Sequence, residues 1–99
     1  MSNVDNKDIR GRILKTLNNQ YPSAMSVKML SYGLRAASYK CSGPELKAHL
    51  AYLEGKGYIE IKKVGVQELE LERKMIELTV TGKDLVEGNI EPDPGVLLL

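Results

Sequence analysis

The segment Ser42-Gly43-Pro44-Glu45 constrains this chain more tightly than any other. Ser and Glu three residues apart have the capping-box spacing, in which each side chain bonds a backbone N–H of the other. Pro44 falls in the first turn, where its missing N–H does no harm. Leu46, Leu50 and Leu53 then recur on one helical face. Gly57 can take the left-handed conformation that stops a helix, with Gly55 a second candidate. Immediately beyond, Tyr58 to Val64 favours a strand, with Ile59 and Ile61 on one side.

Two helices are expected before this one. Ile9, Ile13, Leu14 and Leu17 share a face and predict a helix from about Asp5 to Asn19, capped by Asp5 or Asn6. Gly11 inside it costs roughly 1 kcal/mol relative to Ala, and marks either close packing or tolerance. Tyr21-Pro22 ends it. Ser26 caps the second helix, whose stripe is Val27, Leu30, Leu34 and Ala37, with Met29 and Tyr32 beside it. Residues 37–41 read as a turn or link.

After the first strand, Gly65 is expected to break the pattern. Val66 to Glu72 alternates again, and so does Lys74 to Thr79, with Ile76 and Leu78 inward. This predicts a β-hairpin. Thr79 or Thr81 caps a short last helix closed by Gly88-Asn89. The two prolines of residues 90–99 exclude a regular element there. The expected division is therefore a domain over 1–89 and a C-terminal tail over 90–99.

Composition narrows the function classes. With 99 residues the chain buries one modest core. There is no Trp or Phe, so Leu, Ile, Val, Met and Ala must fill that core, with Tyr at its edges. One Cys excludes an internal disulfide. No apolar run approaches a membrane span, and the first residues lack a signal-peptide pattern, so a cytoplasmic protein without membrane contact is expected. A net charge of +1 excludes an indiscriminate polycation. That total hides an asymmetry: residues 1–63 carry 11 Lys and Arg against 5 Asp and Glu, and residues 64–99 carry 3 against 8.

Three helices, a hairpin and a terminal helix form the α+β order of a winged helix-turn-helix. The run Leu46-x-x-x-Leu50-x-x-Leu53-Glu54-x-x-Gly57-Tyr58-Ile59, with Ile76-x-Leu78-Thr79-x-x-Gly82-x-x-Leu85, resembles winged-helix transcription factors. Asp8-Ile9-Arg10-x-x-Ile13-Leu14-x-x-Leu17, Ser42, the Leu50-x-x-Leu53-Glu54-x-x-Gly57 run, Leu78-Thr79-x-x-Gly82-x-Asp84, Gly88 and Pro94-Gly95-Val96 are similar to a family of small proteins of Mu-like phages and prophages. The chain departs from that family in its acidic stretch Gln67 to Lys74 and in its Leu97-Leu98-Leu99 end. The resemblance to winged-helix transcription factors implies a DNA-binding transcriptional regulator with the third helix as recognition helix. The alternative is a non-enzymatic protein–protein interaction module in phage development.

Phosphate-contacting cations supply most non-specific DNA affinity. The candidates are Lys28, Arg35, Lys40, Lys47, Lys56, Lys62, Lys63, Arg73 and Lys74. The exposed face of the third helix should carry Pro44, Lys47, Ala48, Ala51 and Gly55, where only Lys47 suits a base edge. Glu68, Glu70 and Glu72 should repel phosphates from the wing. Weak to moderate affinity for duplex DNA is expected. No catalytic motif is present, and one His with one Cys is too few for a zinc site, so no enzyme activity, metal or cofactor is expected. His49 and Cys41 read as packing residues. Val96 to Leu99 should fold back, cover a partner subunit or bind another protein, and a homodimer through the first helix or this tail is expected.

Overall fold

A computed structural model describes residues 3–66 and 71–98. Its elements are α1 (Asn3–Gln20), β1 (Met25–Ser26), α2 (Val27–Ala36), α3 (Gly43–Gly55), β2 (Ile59–Val66), β3 (Leu71–Leu78) and α4 (Val80–Glu87). The three strands form one antiparallel sheet in the order β1-β3-β2. This is the winged helix-turn-helix arrangement, with β2 and β3 as the wing.

Local chemistry sets the helix ends. Ser26 Oγ accepts from Met29 N–H at the start of α2. The capping box of α3 is complete: Ser42 Oγ accepts from Glu45 N–H, and Glu45 accepts from Ser42 N–H. At its other end Gly57 has φ +81°, while Gly57 N–H reaches Glu54 O and Tyr58 N–H reaches Leu53 O. That is a Schellman stop, and it delivers the chain straight into β2. α1 starts at Asn3, so Asp5 and Asn6 lie in its first turn and not before it. Negative charge is as welcome in that turn as at a cap, so Asp5 alone does not mark the boundary.

The hairpin differs from expectation at Gly65. It pairs with Glu72 and does not break the strand. Glycine weakens a strand by leaving nothing to pack. Here the register holds on both flanks, Val64 opposite Arg73 and Val66 opposite Leu71, and Gly65 is exposed, so no core contact is lost. Three alternating stretches therefore become two strands. Glu68, Leu69 and Glu70, the centre of the expected acidic wing, lie outside the described residues.

The core is aliphatic, as the missing Phe and Trp require. Ile13, Leu14 and Leu17 of α1 meet Leu30 and Leu34 of α2, Leu53 of α3 and Ile76 of β3, all essentially inaccessible. Burying each such side chain contributes about 1.5–3 kcal/mol. Met29 and Tyr32, expected beside the α2 stripe, are exposed at 59% and 49%. α4 sits tight on the sheet because Gly82 faces the Tyr58 carbonyl: a Cβ there would collide with that oxygen and lie 2.7 Å from Leu78 Cδ1.

The tail folds back on its own domain. Val96 is buried, Leu98 packs against the core, and Leu97 N–H donates to Lys7 O at 3.0 Å. Gly11 makes room for this. A Cβ at Gly11 would run into the Leu97 carbonyl. Among the described residues, no helix is long and apolar enough to cross a membrane.

Candidate nucleic-acid interface

The sheet pleat divides the basic candidates. Side chains along a strand point alternately to its two faces. Ile59 of β2 and Ile76 and Leu78 of β3 are buried on the core face. Lys63 continues the core face of β2 beyond Ile61, and Lys74 continues that of β3 beyond Ile76, directly opposite Lys63. Both reach the mouth of a groove of about 680 Å³ between α2, α3 and the wing. Lys62 and Arg73 occupy the alternate positions. Lys62 is turned to Glu77, with Nζ 3.1 Å from its carboxylate. That hydrogen bond, and then the charges of Glu60 and Glu77, raise the Lys62 ammonium above its usual range.

The other wall of the groove is helical. α2 contributes Lys28, Ser31, Tyr32 and Arg35, which recur at helical spacing as a second stripe beside the core stripe. The sequence reading missed Ser31 and Tyr32 here, although that spacing was visible. Lys28 Nζ lies 5.9 Å from the Tyr32 ring centroid, within reach of its π face. α3 contributes Lys47 and Ala51 to the lining. Leu46, Leu50, Val27 and Ile61 make an apolar floor. Glu54 is the one carboxylate among the described lining residues, and its Oε2 accepts from Ile61 N–H.

The groove thus brings together Lys28, Arg35, Lys47, Lys63 and Lys74. It does not gather the other four candidates. Lys40 is exposed on the link between α2 and α3. Lys56, the C-cap of α3, lies 3.8 Å from Asp93 Oδ2 and 5.6 Å from the Tyr52 ring centroid. Lys62 and Arg73 belong to the far face of the sheet.

The exposed positions of α3 are Gly43, Pro44, Lys47, Ala48, Ala51, Glu54 and Gly55. Its N-terminus, a common phosphate site, already holds the Glu45 carboxylate.

Behind α3 a buried network ties the helix to the tail. Asp93 accepts from Tyr58 Oη at 2.6 Å, Tyr52 Oη at 3.4 Å and Gly95 N–H at 2.7 Å. Burial alone would raise the Asp93 carboxyl, but these bonds and Lys56 together hold it below its ordinary value. Arg10 lies over the Tyr52 ring at 3.9 Å, donates Nη1–H to Gly95 O and donates Nε–H to His49 Nδ1. His49 is buried, and burial first, then the Arg10 charge, lower its pKa. Burial likewise pushes the half-buried Cys41 thiol up, away from reactive thiolate.

No protein-family model and no curated protein matches this chain. Among solved structures, its fold is similar to that of Bacillus subtilis PadR in a crystal structure with operator DNA. The TM-score is 0.66 at 20% sequence identity, over 90% of this chain and 51% of the PadR chain. This chain therefore spans about half the length of that protein, and the likeness establishes the winged-helix fold.

Proposed function

We propose that this chain is a non-enzymatic transcriptional regulator that binds duplex DNA, with α3 as the recognition helix. The observation that carries the reading is the groove itself. Lys28 and Arg35 of α2, Lys47 of α3, and Lys63 and Lys74 of the wing line this one groove. A helix lying in the major groove is flanked by phosphate strands, so cations on the elements beside it suit that mode. The fold shared with PadR, whose crystal structure holds operator DNA, supports the same reading. A phage or prophage setting is part of the proposal on the strength of the sequence motifs alone.

The test is fluorescence anisotropy with a labelled mixed-sequence duplex at low salt. Binding at micromolar protein is expected, with loss in the double variant Arg35→Ala/Lys47→Ala. Absence of binding to any duplex would defeat the reading and leave the protein-docking alternative for the same groove.

A further inference from the structure

We propose that the duplex is recognised through its backbone and shape, with little discrimination between base sequences. This rests on the DNA-binding reading above and concerns how that same site chooses its target. Base identity in the major groove is read by side chains that make paired hydrogen bonds, chiefly Arg, Lys, Asn and Gln. The outward face of α3 is nearly bare of them. Pro44, Ala48, Ala51 and Gly55 carry no donor or acceptor on their side chains, and Glu54 is turned to a backbone N–H of β2. Lys47 alone has the length and the donors to reach a base edge.

The cations stand elsewhere. Lys28 and Arg35 are on α2, and Lys63 and Lys74 on the wing, none of them on the helix that would enter the groove. Cations on elements beside a groove-bound helix suit the phosphate strands that border it. Phosphate contacts fix position and orientation but carry no direct sequence information. The small side chains of α3 have a complementary effect. They let the helix seat deeply, so that groove width and the ease of bending the duplex decide affinity.

The experiment is binding-site selection from a random duplex pool, followed by anisotropy titrations over a range of salt. The best selected duplex should be held within about tenfold of a scrambled one, where base-reading proteins separate the two by about a thousandfold or more. Lys47→Ala should weaken all duplexes by one common factor and reduce the slope of log affinity against log salt by about 1. A duplex preferred by about a hundredfold or more, or a Lys47→Ala variant that loses one sequence and keeps the rest, would overturn the inference while leaving DNA binding intact. If no duplex binds at low salt, the inference falls together with the reading beneath it.

Discussion

Tyr58 donates its phenolic proton to Asp93 across 2.6 Å, inside the protein, so the first residue past the α3 stop is fastened to the chain's tail. A hydrogen bond to a charged acceptor contributes about 1.5–3 kcal/mol. Tyr58→Phe should therefore cost about 2 kcal/mol in a urea melt at neutral pH. The pH dependence has a definite sign. Burial, and then the Asp93 bond and charge, push the Tyr58 hydroxyl up to about 12. A folded value above the unfolded one gives stability that is complete below about pH 10 and is lost as pH rises toward the folded value. The Phe variant should lack that alkaline limb, and an unchanged limb would show that another group causes it.

Gly11→Ala should go against helix propensity. Alanine gains about 1 kcal/mol in an open helix. Here its methyl meets the Leu97 carbonyl, so the tail must leave and expose Val96. A net loss of about 2 kcal/mol is expected, together with faster proteolysis of the tail. In a chain lacking Val96 to Leu99 the same substitution should become neutral or stabilising. Calorimetric melts of the four proteins decide it, and additive effects would contradict the contact.

His49 supplies an acid limb. Its pKa is lowered by burial and by Arg10, against a smaller opposing effect of Glu45. A depressed histidine favours the neutral folded form. Its contribution is present above the ordinary value of about 6.5 and is lost as pH falls below it. His49→Gln should flatten stability between about pH 7 and pH 5. Asp93, also lowered, acts at more acid pH, below about 4. Thermal melts across this range separate the two, since the Gln variant should keep only the lower limb.

Neighbouring residues on β3 should differ in DNA binding. Lys74 lines the groove and Arg73 occupies the opposite face. Lys74→Ala should weaken duplex binding by about threefold at low salt, and Arg73→Ala by less than about 1.5-fold. Equal losses in anisotropy would mean that the duplex does not lie along the groove.

Much of this fold is written in its punctuation. Ser26, Ser42 with Glu45, Thr79, Gly57 and Gly88 mark helix ends by chemistry that acts within a few residues, and they are legible for that reason. The leucine and isoleucine stripes give the core equally well. The site is less legible. Whether Lys62 or Lys63 faces the groove depends on the register of β2 against β3, and a one-residue slip would exchange them. The expected break at Gly65 had hidden that register. The Asp93 network was out of reach because its members are joined only by tertiary packing.

The tail's attachment has a kinetic side. Arg10 and Gly95 are 85 residues apart in the chain, and Tyr52 and Asp93 are 41 apart. Closing loops of that size carries an entropic cost that grows with the logarithm of their length. Such contacts form only after the local helices that hold their partners. The tail is therefore expected to dock against α1 late in folding. The Gly95 and Leu97 amides, held by the tail's own contacts, should accordingly exchange with solvent before those of α3.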